Sequence, residues 1–187
     1  LLENANYANN TKDRFSNIYL NNLDYNLDLA KLSLEISSTI DSSDLSTSLC
    51  HGDYVNKNII IDDKNSVFII DFDKCKYDYS SYDISYFLRR LLKRPTTNWD
   101  VQITIDVLNS YLNENTLTSS DFKYILAYLA FPQKYWKISR DYYKNIKKCN
   151  KKSFVTLLEK GLERTANQLE YVNNMIMILE KYYNVKF

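Results

Sequence analysis

"LCHGDYVNKNIIIDDKNSVFIIDFDKC", residues 49–75, decides how this chain is read. Asn58 to Asp62 and Ser66 to Phe72 are β-branched and aromatic, and the "DDKNS" between them is rich in turn formers, so the stretch predicts a β-hairpin. Ahead of it stand His51, the single histidine of the chain, and Asp53; at its ends stand Asn58 and Asp71. Antiparallel pairing brings the start of the first strand beside the end of the second, which predicts that Asn58 and Asp71 meet.

That corner suits one chemistry. Phosphoryl transfer needs a carboxylate to orient, or take the proton from, the attacking hydroxyl, and oxygen ligands about 2.0 to 2.1 Å from Mg²⁺. Protein kinases draw the first from the Asp of H-R-D-x-x-x-x-N and the second from that Asn and the Asp of D-F-G. Here "HGDYVNKN" supplies His51, Asp53 and Asn58 in that spacing, and "IIDFD" supplies Asp71 one hairpin later. An isolated H-x-D-x-x-x-x-N arises by chance; the hairpin ending in I-D-F gives it context.

Plainer roles stand beside these. His51 reads either as a ring bonded to a backbone carbonyl or as an acid–base group, a slot that Asp53 already fills. Asp73, where D-F-G would have glycine, is a second metal contact or a turn carboxylate. Asp83, in the first turn of a predicted helix, either complements the helix dipole or accepts backbone N–H bonds from the HGD loop. Cys50 and Cys75 read as packing residues rather than nucleophiles.

The rest of the chain sets bounds. At 187 residues it is read as one domain, 1–187, with a core of its own. Its 24 Lys and Arg nearly cancel 23 Asp and Glu, which gives no reason to expect a nucleic-acid partner. No run of about 18 apolar residues occurs, so no membrane span is expected. Three cysteines without C-x-x-C spacing argue against zinc or a disulfide framework and for a cytoplasm-like compartment. With only Gly52 and Gly161, no glycine-rich phosphate loop can be written. The chain begins at Leu1, as a piece of something longer would. Its 17 tyrosines carry little weight, since base composition accounts for them equally well.

Residues 1–23 are Asn-rich and weakly patterned, and an irregular segment, loop or frayed helix, is expected there. Residues 24–48 form a helix and loop, with Tyr25, Leu29, Leu32, Ile36 and Ile40 at helical spacing. Residues 49–75 are the catalytic loop and hairpin; 80–183 are helical. Ser80 or Ser81 caps the first helix there and Asn98 the second. "TSSDFKYILAYLAF" opens with cap residues, and Pro132 breaks the helix that follows. A last helix, roughly 153 to 182, carries a stripe from Leu158 to Tyr183 that fits either its own core or a coiled-coil partner. The fold class is thus mainly α with a small β-hairpin, α+β. Between Lys134 and Lys152 eight basic residues meet one acid, Asp141, as a solvated face or an anion-binding rim.

"LCHGDYVNKNIII", "VFIIDFDKC" and "YDISYFLRRLL" together resemble the carboxy-terminal lobe of the aminoglycoside phosphotransferase and choline kinase superfamily, whose fold is protein-kinase-like. "LAYLAFPQKYWKISRDYY" resembles its CotS-type spore-coat branch. The resemblance implies Asp53 as catalytic base, Asn58 and Asp71 as Mg²⁺ and cofactor ligands, Asp83 as the brace of the loop, and ATP as donor. It implies an acceptor hydroxyl on a small molecule or coat component, other spore coat proteins as partners, and a place in the cytoplasm or the coat of the forming spore. The family's amino-terminal lobe, with its strand lysine, is absent from these residues. A noncatalytic coat component on the same fold is the competing expectation.

Overall fold

The computed structural model describes residues 1–187. Nine helices run in the order α1 (Leu2–Thr11), α2 (Arg14–Asn21), α3 (Leu23–Ser38), α4 (Ser80–Leu92), α5 (Val101–Leu112), α6 (Ser119–Ala130), α7 (Gln133–Lys144), α8 (Lys151–Glu163) and α9 (Gln168–Tyr183). Four short strands, β1 (Thr47–Cys50), β2 (Ile59–Ile61), β3 (Val67–Ile69) and β4 (Lys76–Tyr79), lie between α3 and α4. The mainly α, α+β class expected from the sequence is what forms.

The strands nest. β2 and β3 make the expected hairpin, with Ile59 opposite Ile69 and Ile61 opposite Val67. Outside it β1 pairs antiparallel with β4, Thr47 opposite Tyr79 and Cys50 opposite Lys76, a pair that the sequence reading leaves as loop. The reason is physical: "TSLC" and "KYDY" are four residues each, and Tyr77 is exposed, so neither shows an alternating apolar face.

Two apolar clusters hold the helices. The larger joins Leu88 and Leu92 of α4, Leu126 and Leu129 of α6 and Val172, Met175 and Leu179 of α9. The smaller corrects the expectation of an irregular 1–23. There α1 and α2 bury Ala5, Ala8, Phe15 and Tyr19 against Tyr135, Ile138 and Tyr142 of α7 and Val155 and Leu158 of α8. Phe15 stacks on Tyr142 at 3.9 Å and Tyr19 on Tyr135 at 4.6 Å. Asp13 caps α2 by accepting from the Ser16 amide. Tertiary burial overrides the poor helix propensity of an Asn-rich stretch.

Three boundaries also differ from expectation. Ser80 and Ser81 lie inside α4, where Ser80 Oγ donates to Ser48 Oγ and Ser81 Oγ to Asp121, so neither caps it. Asp100, not Asn98, caps α5; Asn98 and Trp99 sit at positive φ in the preceding turn. The single last helix is two, α8 and α9, divided at residues 164–167. Its stripe faces inward, with Leu158, Val172 and Leu179 buried, which excludes a partner seam along those positions. The helix break at Pro132 forms as expected, with Thr118 and Asp121 making a capping box on α6.

Candidate catalytic and metal-binding site

The β1–β4 pair delivers the HGD loop to the base of the hairpin. Gly52 makes this possible. Its φ is +75°, and a Cβ there would stand 2.5 Å from the Lys74 carbonyl oxygen, so the loop and the turn after the hairpin touch through a position only glycine can fill. The two oxygens of Asp83, in the first turn of α4, then accept the amides of His51 at 2.5 Å and Gly52 at 3.0 Å. Asp83 therefore both complements the helix dipole and ties down the loop.

His51 is buried, and both its ring nitrogens are engaged. Nδ1 accepts from the Asp53 amide at 3.2 Å, which places the proton on Nε2, 2.9 Å from the Ile70 carbonyl that accepts it. The ring packs 4.9 Å from that of Phe72. The histidine thus joins loop to hairpin and has no nitrogen left over.

Asn58 is buried at the hairpin's start, and its carbonyl accepts from Ile70 N at 3.0 Å, so Asp71 is one residue beyond the pair rather than directly opposite. The Asn58 amide nitrogen donates to Asp53 O at 2.9 Å, which turns Oδ1 the other way. Asp71 is exposed and holds φ +70°, ψ 59°, a left-handed conformation that Asp tolerates at a cost of about 1 kcal/mol. Asp73 is exposed in the turn Phe72–Lys74. Cys50 is buried, donates to the Tyr79 carbonyl, and has its thiol pKa pushed up by burial; Cys75 is half-buried.

Asp53, also buried, collects partners absent from the sequence reading. Lys74 Nζ donates to its Oδ2 at 3.0 Å, Lys57 Nζ lies 3.6 Å away, and Tyr86 donates to Oδ1 at 3.1 Å. The hydrogen bond from Lys74 holds the Asp53 carboxyl below the ordinary aspartate range, against the opposing pull of burial. Lys57 also reaches Asp71, at 3.9 Å. Arg90 donates to the Tyr86 hydroxyl at 2.9 Å and extends the network outward. Tyr86 had a signal, since it sits three residues after Asp83 and so shares its helix face. Lysines 57 and 74 had none beyond proximity to acids, which surface residues share.

The donor set suits a hard cation. Asn58 Oδ1 and the Asp71 carboxylate are oxygen donors of the kind that Mg²⁺ takes, and the Lys57 ammonium shows that the space between Asp53 and Asp71 accepts positive charge. Behind the loop lies an apolar cavity of about 760 Å³, bounded by Tyr54, Phe72, Ile84 and Phe87 and touching His51 and Asp83; Asp53, Asn58 and Asp71 are not on its wall. The hairpin is uncovered: Ile61, Val67, Phe68 and Phe72 are each more than half exposed.

Residues 11–114, more than half of the chain, match the model of the phosphotransferase enzyme family, APH, and the chain belongs to that family. The fold is similar to that of the crystal structure of an aminoglycoside phosphotransferase from Alicyclobacillus acidocaldarius subsp. acidocaldarius DSM 446, at 20% identity and a TM-score of 0.82. The similarity covers 95% of this chain and 55% of that one, so the chain spans about half the length of that protein. A kinase-like lobe, the expected architecture, is thereby established.

Proposed function

We propose that this member of the phosphotransferase enzyme family carries the catalytic-loop and metal half of an ATP-dependent phosphotransferase acting on a hydroxyl acceptor. What supports it most is one convergence: Lys57 reaches both Asp53 and Asp71, while Asn58 donates to Asp53's own carbonyl. Two carboxylates, one before the hairpin and one at its end, share one ammonium, and Asn58 is tied to the first through its backbone.

In this reading Asp53 accepts the proton of the acceptor hydroxyl or orients it, and Tyr86 and Asn58 fix the angle of attack. Lys74 keeps the carboxylate ionised through its hydrogen bond. Asn58 and Asp71 would hold Mg²⁺, which neutralises the charge on the phosphates when bound. Asp83 and His51 are positioning residues. The uncovered hairpin and the absence of a glycine-rich loop in these residues leave the adenine and phosphate grip to the rest of an ATP site. Isolated residues 1–187 are therefore expected to show little turnover, because positioning supplies most of this catalysis.

The second reading is a noncatalytic assembly component of the spore coat, the CotS-type branch, working in the coat or the cytoplasm beside other coat proteins. The observation in its favour is that two lysines already neutralise Asp53. The test uses the full-length protein: Mg²⁺-dependent ATP consumption that disappears in Asp53→Asn and in Asp71→Asn supports the enzyme. Absence of nucleotide binding, with neither substitution having any effect, leaves the coat component.

A further inference from the structure

Away from the catalytic loop, Arg89 of α4 is 5% exposed and has no carboxylate partner. Its Nη1 donates to Gln133 Oε1 at 2.7 Å and its guanidinium lies 3.7 Å over the Tyr128 ring. Its Nε and Nη2 are enclosed without any acceptor. A buried guanidinium with three of its five N–H donors unused is costly, and a chain keeps one when something supplies the missing negative charge. Burial lowers its pKa to about 10, so it stays charged at neutral pH.

Arg89 borders a cavity of about 530 Å³ between α3, α6 and the start of α7. No Asp or Glu lines it; the other polar walls include Tyr124, Tyr128, Ser42 and Gln133. The hydroxyls of Tyr124 and Tyr128 make no hydrogen bond within the chain, and burial pushes the Tyr124 phenol up to about 12, so both remain donors. Asp78, whose charge reaches Tyr124, is paired with Lys76 at 2.6 Å.

One further source of positive potential points the same way, and a second is about half charged at neutral pH. α7, twelve residues long, begins at Gln133 with no side-chain cap, so its N-terminal pole carries no compensating group. Lys93 follows Arg89 by one turn of α4, and burial together with Arg89 and Lys134 lowers its pKa to about 7. Lys93 thus feels both Arg89 and Lys134, Lys134 feels Arg164, and no acid is among the charges acting on them.

We propose that the cavity bordered by Arg89, Tyr124, Tyr128 and the start of α7 is a binding site for an oxyanion of the phosphate or sulfate type, separate from the catalytic loop. The anion takes the two phenol hydroxyls and the Ser42 hydroxyl as donors and lies in the field of Arg89 and the helix pole. The source is either the free inorganic ion or a phosphomonoester.

The experiment titrates the full-length protein with sodium sulfate at constant ionic strength, by calorimetry and by the Arg Nε–H resonances in ¹⁵N spectra. Sulfate is used because it does not titrate near neutrality. A single saturable site is expected, with one buried Arg Nε–H resonance moving. The double substitution Tyr124→Phe with Tyr128→Phe should weaken binding by at least about tenfold, the equivalent of one good hydrogen bond to a charged group, while leaving the urea midpoint nearly unchanged. Arg89→Lys should weaken it further. If Arg89→Lys fails to fold, the phenylalanine pair still decides. No saturable binding, or binding that survives the phenylalanine pair but is lost in Lys74→Met, overturns the proposal. Inorganic phosphate and glycerol phosphate are the second arm: tighter binding of the ester at this site assigns a phosphorylated metabolite, and tighter binding of phosphate assigns the free ion.

Discussion

Replacing Asp83 by alanine removes both acceptors that hold the HGD loop. In the intact protein the His51 and Gly52 amides donate to its two oxygens at 2.5 and 3.0 Å, and His51 is buried. A hydrogen bond to a charged group contributes about 1.5 to 3 kcal/mol, and an orphaned buried donor forfeits a comparable amount. Two such bonds, one partly recoverable by water at the half-buried Gly52, come to about 3 to 5 kcal/mol. Asp83→Asn keeps one oxygen acceptor but aims an N–H₂ at the second amide, so about 2 to 3 kcal/mol is expected. Urea denaturation gives the global figure. Amide exchange places it: the His51 and Gly52 amides should lose protection together, while those in the middle of α6 keep theirs. If Asp83→Ala unfolds within about 0.5 kcal/mol of the parent and both amides stay protected, the carboxylate does not brace the loop and the loop is held from the hairpin side alone.

Gly52→Ala meets two penalties, a left-handed φ and a Cβ 2.5 Å from Lys74 O, for which about 2 to 4 kcal/mol of destabilisation is expected by denaturant titration. Lys74→Met removes the chief cause of the lowered Asp53 pKa; the Asp53 carboxyl should titrate at higher pH by ¹³C NMR, and the acid limb of any pH–rate profile should shift upward with it. Asp13, held at about 2 because hydrogen bonds from Tyr142 and Ser16 outweigh its burial, contributes stability that is complete above its unfolded pKa near 4 and lost as pH falls toward 2. Thermal melts should thus show about 1 to 2 kcal/mol of acid sensitivity over that window, absent in Asp13→Asn.

The hairpin and the positions of Asp53, Asn58 and Asp71 are legible because their determinants are local: turn formers at 62–66, flanking β-branched runs, and fixed offsets from the strand ends. α3 and α6 are legible by period and caps. What escapes reading depends on partners distant in sequence. α1 and α2 exist because Phe15 and Tyr19 find Tyr142 and Tyr135 more than a hundred residues later, and Asn4 finds Ser139 at 2.8 Å. Composition also misleads about tyrosine: Tyr19, Tyr142 and Tyr171 are among the largest fully buried side chains, and the Tyr135 hydroxyl closes on the Tyr19 carbonyl at 2.6 Å. The β1–β4 pair is set by register with a strand thirty residues away, which four-residue segments do not announce. Lys57 and Lys74 turn toward Asp53 only once the hairpin is closed.

One division of labour follows from where these contacts fall. Every side chain that meets Asp53, Asn58 or Asp71 comes from residues 51–86, inside the stretch matched by the family model. The later helices pack on that segment through apolar and aromatic contacts, and their hydrogen-bonded link to it is one fully buried carboxylate. Asp121 of α6 accepts from Ser46 N at 3.2 Å, Ser46 Oγ at 2.6 Å and Ser81 Oγ at 3.1 Å, besides the Thr118 amide that completes its own capping box. Asp83 therefore fastens the loop to α4, and Asp121 fastens both α4 and the entry to β1 onto α6. In the proposed phosphotransferase, loss of either would act on Asp53 through geometry and not through charge at the reacting group, which would make the two carboxylates positioning residues. The helices beyond α6 touch none of these atoms, so in the proposed phosphotransferase a change of acceptor could be accommodated there without disturbing Asp53.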